Sequence, residues 1–302
     1  MKMEKAVMFA TRKFRGLNLH IRENLAYITF TGQNLLIYSG KKVRKSEQKS
    51  RFEIMTSRDY PKWVNKFSSP LDNIVTLFNR LQKFSKLSNL VIYLDGRYVK
   101  DYISFEDVFK IPIIRKFDQI TISGGEIGPK YMDMVMELAN ESKNLVLIGV
   151  KISMNYWNEN AFIFRKIRYS DSRWVKIHHL FSLKNSTTVE LSRCYLSFSE
   201  INQLLKYWII NDHNMFEVMD FWLSQNMDTV EIEDLEVKFN LENLLDGITV
   251  FRHQNSCYYI KSRSENSEKR GILCVEWIPK KQLLKLTTLE SDGIENFTFS
   301  YF

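Results

Sequence analysis

Histidine and cysteine are the side chains in this sequence whose chemistry would first indicate a metal or redox site. His178 and His179 are adjacent on a strand predicted over residues 174–181, so their imidazoles point to opposite faces and cannot hold one ion. The cysteines lie far apart and form no Cys-x-x-Cys pair of the kind that binds zinc: Cys194, Cys257 and Cys274. The sequence therefore predicts no metal site.

Two further segments contain residue types that are used in catalysis. Residues 124–130 resemble a phosphate loop but lack the Gly-Lys-Ser/Thr ending, and a glycine turn into a helix with Pro129 at its first position explains them. In the acidic segment 228–236, apolar residues alternate with charges, which favours a half-buried segment over paired catalytic carboxylates. The sequence also lacks a Gly-x-Ser-x-Gly nucleophile elbow. We therefore predict a protein that is not an enzyme and needs no cofactor.

The positive charge is concentrated at the start of the chain. The net charge is +8, yet residues 1–51 alone contain twelve Lys and Arg against three Glu, which gives +9 and leaves −1 for the rest. The densest basic patch consists of Lys41, Lys42, Arg44 and Lys45. It fits a nuclear-import signal, a phosphate-binding patch or a solvated loop between strands. No aromatic residue interrupts residues 41–50, so the stacking half of a single-strand nucleic-acid platform is missing there.

Length and composition indicate a globular intracellular protein. The 302 residues are 44% hydrophobic, and no apolar run reaches the ~18 residues that a membrane-spanning helix needs. An odd number of widely spaced cysteines is typical of reduced thiols. We expect a cytoplasmic or nuclear protein that does not enter a membrane.

Strand and helix patterns alternate along the middle of the chain. Ser69-Pro70 opens a predicted helix over residues 71–85, and a strand follows at 89–94. The same unit recurs as strands 117–123, 144–150, 188–192 and 216–223 with helices 129–140 and 199–210, the latter capped by Ser199. The spacing predicts an α/β fold: an irregular leucine-rich-repeat-like stack of strand–helix units, ending in a β-hairpin at 258–263 and 271–277.

Two of these units align directly and indicate a binding surface. Ile120-Thr-Ile-Ser and Val189-Glu-Leu-Ser each turn their apolar residues inward, which places the intervening polar residues on an open face. Solenoid-like folds expose their sheet in this way, so we expect these residues to bind a partner: Thr121, Ser123, Glu190 and Ser192.

Taken in order, the units resemble the F-box-associated (type 2) proteins, a family greatly expanded in nematodes. Three segments are similar to that family: residues 185–192, the segment 196–209 with its Leu-Lys-Tyr-Trp, and the hairpin ending in Cys274-Val-Glu-Trp277. The resemblance implies a domain that holds the target of a cullin ubiquitin ligase. Family members normally begin with an F-box that docks on a Skp-type adaptor, whereas this chain has only residues 1–16, an F-box remnant helix, before its first strand.

The resemblance divides the chain into four parts. After residues 1–16 come a basic β segment over 17–60, leucine-rich-like strand–helix units over 61–180, and an F-box-associated domain over 181–302. The predicted function is a non-enzymatic protein-binding module resembling the substrate-recognition part of an F-box receptor. A Skp-type adaptor would bind only if a docking surface survives. The alternative is a nucleic-acid-associated protein that acts through its basic N-terminal segment, which is disfavoured because groove-reading motifs are absent.

Overall fold

Two compact units make up the chain, residues 1–126 and 127–302. A computed structural model describes residues 17–22, 25–30, 36–40, 70–82, 89–97, 105–112, 114–211, 213–224, 249–253, 257–261, 272–278 and 281–289. The boundary between the units falls inside the stretch 61–180 that the sequence analysis treats as one series of strand–helix units.

A mixed sheet forms the core of the first unit. Its described strands are β1 (Leu17–Arg22), β2 (Leu25–Phe30), β3 (Leu36–Gly40), β4 (Leu90–Asp95) and β5 (Gln119–Ser123). Strand β4 pairs in parallel with β5 and β1, and β1, β2 and β3 follow as an antiparallel meander. Leu19, Ile92 and Ile120 lie side by side in the register and are fully buried. The helices of this unit are α1 (Pro70–Gln82) and α2 (Phe105–Lys110), of which α1 packs on β2 and β3.

Mixed β-sheet also runs through the second unit. Its described strands are β6 (Asn144–Ile148), β7 (Lys166–Tyr169), β8 (Ser186–Cys194), β9 (Phe216–Leu223), β10 (Thr249–His253), β11 (Cys257–Lys261), β12 (Ile272–Ile278) and β13 (Leu283–Leu289). Strands β6 to β9 are parallel and in sequence order. Beyond β9 the order is β13, β12, β11 and β10, all antiparallel, so the last described strand pairs with β9.

The described α-helices of the second unit are α3 (Pro129–Met136), α4 (Ile177–Leu180) and α5 (Phe198–Ile210). A capping box starts α5: Ser197 Oγ accepts from the backbone N–H of Glu200, whose carboxylate accepts from the N–H of Ser197 at 2.8 Å. The cap is therefore Ser197, and the prediction of Ser199 was wrong. Ile201, Leu204 and Trp208 are buried, as their helical spacing predicts.

The mixed α/β class is confirmed. The predicted hairpin strands 258–263 and 271–277 correspond to the antiparallel pair β11–β12, but the sheet does not end with them, because β13 follows and pairs with β12 and β9. The strand predicted over residues 174–181 was wrong, because that segment contains a turn and the single-turn helix α4. The strand that lies between β6 and β8 is β7, which begins at Lys166, eight residues before the predicted strand. The predicted F-box remnant helix over residues 1–16 and the acidic segment 228–236 lie outside the described residues.

Candidate functional site

The sheet of the second unit has one buried face and one open face. Leu145, Ile167, Val189 and Met219 are neighbours in the register of β6 to β9, and each is at most 1% exposed. The alternate side chains, which point the other way, are mostly half-buried or exposed. We define the open face by its residues on β7, β8, β9, β13 and β12: Lys166, Arg168, Thr188, Glu190, Ser192, Val218, Asp220, Trp222, Lys285 and Glu276.

A row of charges crosses the open face from strand to strand. In register order it consists of Arg168, Glu190, Asp220, Lys285 and Glu276. Neighbouring strands are ~4.8 Å apart, so each charge lies within interaction range of the next. Arg168 Nε lies 3.1 Å from Glu190 Oε2, which pairs the first two members of the row. The row contains three carboxylates and two cations, and two of those carboxylates are direct neighbours.

Asp220 stands at the centre of this row, between Glu190 and Lys285. Burial raises the pKa of its carboxyl, Lys285 opposes that effect, and the like charges of Glu190 and Glu276 add to it. Its Oδ1 atom is buried and accepts no hydrogen bond within the described part of the chain. Buried carboxylate oxygens are normally paired, so a donor supplied from outside would lower the free energy of this group.

An aromatic side chain borders the charged row on one side. Trp222 pairs with Ser192 in the register of β8 and β9, and its indole is 38% exposed. Partly exposed tryptophans beside polar groups are frequent anchors in protein–protein interfaces, so the open face combines an apolar anchor with directional charges.

The four predicted binding residues fall in different units. Glu190 and Ser192 lie on the open face of the second unit, whereas Thr121 and Ser123 belong to β5 in the first. Ser123 is half-buried, but Thr121 is only 4% exposed, so the expectation of an open position was wrong there. The reason is local, because Tyr93 is its register neighbour and Gln119 Nε2 donates to its hydroxyl at 3.0 Å.

Histidine forms part of an aromatic cluster in the second unit rather than a metal site. His178 and His179 lie on α4, with ring centroids 4.8 Å apart, so their predicted placement on opposite faces of a strand was wrong. Trp157, which is 52% exposed, stacks on His179 at 4.4 Å. Burial, with a smaller effect from the adjacent His178, lowers the pKa of His179 to about 4. The neutral His179 ring accepts the backbone N–H of Lys176 through Nδ1 at 2.9 Å.

An ion-pair corner around the buried carboxylate of Asp171 in the second unit was not predicted from the sequence. Asp171 is 8% exposed and accepts from Arg173 Nε at 2.7 Å and Nη2 at 2.6 Å. Arg193 Nη1 lies 3.8 Å from the same carboxylate. These contacts hold the pKa of Asp171 below its usual value, chiefly through the Arg173 hydrogen bonds. The sequence does contain a signal for this corner. It is the tripeptide Asp-Ser-Arg at residues 171–173, which follows the alternating charged and apolar residues 166–169.

The buried thiol of β8 is not activated as a nucleophile. Cys194, on the last residue of β8, is buried, and burial raises the pKa of its thiol to about 11, so the nucleophilic thiolate is scarce at neutral pH. Among the described residues, no group of three or more His, Cys, Asp or Glu is arranged to hold a metal ion. The basic patch, Lys41, Lys42, Arg44 and Lys45, lies outside the described residues. In the part of the chain that the structure describes, no helix is long and apolar enough to cross a membrane.

Comparison with known proteins does not place this chain in a family. No family model, no curated protein and no solved structure matches it. The likeness to F-box-associated proteins therefore remains a prediction from the order and spacing of the sequence segments. The open face and its charges are the functional features that can be argued from the structure itself.

Proposed function

We propose that this chain is a non-enzymatic protein-binding module that holds its target on the open face of the second unit. The observation that supports the proposal is the two-sided sheet: one face is a dry core, and the other presents an ordered row of charges beside a half-exposed indole. A core of this kind keeps the strands rigid. Rigid strands fix the positions of the charges, which favours one partner orientation over others.

The under-satisfied charge of Asp220 adds a second argument. Glu190 and Asp220 are register neighbours with the same charge, an arrangement that lowers the stability of the isolated sheet. A partner that brings a cationic donor to this point would remove the repulsion and supply the missing hydrogen bond. The face therefore gains more from a complementary surface than from water alone.

The architecture is consistent with the finer fold proposal. In the parallel part of the second unit, β6 to β9 follow in sequence order, and α5 connects β8 to β9. This alternation supports an irregular leucine-rich-repeat-like stack, in which each strand–helix unit relies on its neighbours for its core. The resemblance to F-box-associated proteins adds the proposal that the bound target is presented to a cullin ubiquitin ligase.

The binding proposal is tested by reversing charge and removing the anchor on the open face. The full chain is used to isolate binding proteins, and each purified candidate is titrated against the wild type and against Glu190→Lys combined with Trp222→Ala. We expect the variant to lose binding by at least about tenfold, the scale of one interface anchor, without a change in the thermal midpoint. The control is Glu137→Lys, the same charge reversal at an exposed position directly after α3.

Equal affinity for the wild type and the double variant would overturn the open face as the binding surface. A lowered thermal midpoint would assign Glu190 and Trp222 to the stability of the sheet instead. Coupling to a ligase is a separate question, which direct 1:1 association with a purified Skp-type adaptor answers. Failure of that association would remove the ligase arm and leave the target-binding proposal standing.

Nucleic-acid association is the second candidate function, because residues 1–51 have a net charge of +9. Binding through phosphates alone would weaken steeply as salt is raised, since each neutralised phosphate releases counterions. A filter assay over a range of salt concentrations tests it. Absent or salt-independent binding would remove this candidate.

A further inference from the structure

The Asp171 corner of the second unit contains one more cation than its carboxylate requires. Both oxygens of Asp171 already accept from the fork of Arg173, which satisfies the carboxylate. Arg193 approaches the same Oδ2 atom from the other side at 3.8 Å, while its side chain remains 68% exposed. One negative and two positive charges give the corner a net charge of +1, and both guanidinium groups reach solvent.

The backbone does not explain the arginine at position 193. Arg193 has φ +55°, in the left-handed region where a side chain raises the energy and glycine does not. Arg193 follows Ser192, and the equivalent serine of the first unit is Ser123. The residue after Ser123 is Gly124, with φ +69°. A glycine at position 193 would therefore suit the chain better. Strained positions of this kind persist where the side chain has a role.

The neighbourhood of the corner is that of a ligand site. Arg193 is the bulged residue near the end of β8, and Asp171 follows β7, so the two lie at the carboxyl ends of adjacent parallel strands, where α/β sheets commonly bind ligands. Tyr195 is 46% exposed and interacts with the charge of Arg173. Its hydroxyl adds a neutral donor next to the two guanidinium groups.

We propose that Arg173, Arg193 and Tyr195 bind an oxyanion, a phosphate or a carboxylate group, held at a fixed place by Asp171. Asp171 orients the Arg173 fork and offsets the repulsion between the two arginines, and the remaining N–H groups of both donate to the anion. Planar guanidinium groups match the oxygen spacing of phosphate and carboxylate, which a lysine would not. These residues are distinct from the open face, so this proposal and the protein-binding proposal stand or fall separately.

The test is a nuclear magnetic resonance titration of the full-length, nitrogen-15-labelled chain. Inorganic phosphate, sodium acetate and sodium chloride are added separately at matched ionic strength. We expect saturable shifts of the arginine Nε–H signals of Arg173 and Arg193 with phosphate or acetate and none with chloride. Comparison of the phosphate and acetate curves tells which oxyanion the site prefers.

Variants make the result specific. Arg193→Gly installs the residue used in the first unit and is expected to abolish the saturable shift at Arg173 while leaving the thermal midpoint equal or higher. Arg193→Asn, which also tolerates the left-handed region, checks that the loss follows the charge and not the glycine. The control Arg165→Ala removes the same charge from an exposed position directly before β7 and is expected to bind as the wild type does. Linear, unsaturated shifts, or shifts that persist in Arg193→Gly, would overturn the proposal.

Discussion

Each unit closes a parallel strand with the same Asp-x-Arg corner, and the two corners differ in the residues around that pair. Asp95-Gly96-Arg97 ends β4 in the first unit, and Asp171-Ser172-Arg173 follows β7 in the second. Each aspartate is at most 8% exposed and accepts from Nε and Nη2 of the arginine two residues later. The N–H of the middle residue donates to a serine carbonyl on the next strand, Ser123 at 2.9 Å and Ser192 at 2.8 Å.

The difference lies in how closely the backbones approach. A Cβ atom on Gly96 would lie 2.4 Å from the carbonyl oxygen of Gly124, so the first corner admits only glycine. At the same place in the second corner, Ser172 fits, and its hydroxyl donates to the Ser192 carbonyl at 2.8 Å. Both corners therefore share the aspartate and its arginine. The residues around this pair allow close backbone packing in the first unit and add the charge of Arg193 in the second.

Removal of the aspartate is expected to have the largest effect in either corner. Asp171→Ala would remove the two hydrogen bonds that the buried carboxylate accepts from Arg173, and we expect a loss of about 3 kcal/mol in the free energy of unfolding. Urea denaturation followed by tryptophan fluorescence measures it. Asp95→Ala is the matched variant, and a loss below about 1 kcal/mol in only one of the two would show that the corners are not energetically equivalent.

Exchange of the middle residues sharpens the comparison. Gly96→Ser brings a Cβ atom against the Gly124 carbonyl and is expected to lower the free energy of unfolding by about 2 kcal/mol, as overpacking does. The reverse change, Ser172→Gly, removes the hydrogen bond from the Ser172 hydroxyl to the Ser192 carbonyl and raises the conformational entropy of the unfolded chain. We expect it to lower the free energy of unfolding by about 1 kcal/mol. Thermal denaturation of both variants checks the order. If the two losses were equal, the closer approach in the first corner would have no energetic meaning.

Local patterns predicted the elements that depend on local residues. The strand at Phe216–Leu223 was predicted to the residue, and the helix from Pro70 begins where its proline indicated. The short strand Lys166–Tyr169 was missed, because four alternating residues are too few to stand out from a loop. The prediction of a strand over residues 174–181 was wrong because Trp174 and Val175 are typical strand residues. In the structure the Trp174 ring packs against His179 of α4, and the two belong to the aromatic cluster.

The candidate site was only half predictable for a non-local reason. Glu190 and Ser192 followed from alternation along one strand, which a sequence displays directly. Their neighbours Asp220, Lys285 and Glu276 come from strands whose order, β9 beside β13 beside β12, is fixed by pairing between distant segments. The two Asp-x-Arg tripeptides are visible in the sequence, yet only the buried carboxylates and the matching serine carbonyls show that they are equivalent.

Acid is expected to remove the contribution of the second corner. The Arg173 hydrogen bonds lower the pKa of folded Asp171 below its unfolded value of about 3.9, so the folded state binds fewer protons. This stabilisation is complete above that pH and is lost as the pH falls through the folded pKa. We expect the difference in unfolding free energy between the wild type and Asp171→Asn to be constant from pH 7 to about pH 5 and to shrink below pH 4. A difference that grew on acidification would contradict the ion-pair origin of the effect.

The smallest effect is expected where the two corners differ most. Arg193→Gly relieves the left-handed backbone, a gain of about 1 kcal/mol, and removes an exposed contact at 3.8 Å that is worth about 0–1 kcal/mol. The two terms nearly cancel, so the free energy of unfolding should rise by less than about 1 kcal/mol or stay unchanged. Urea denaturation measures the change in the free energy of unfolding for this variant and for Gly124→Ala. The second variant introduces the left-handed strain into the first corner and is expected to lower that free energy. A clear loss in Arg193→Gly would make Arg193 a structural part of the corner and leave no surplus cation to bind an anion.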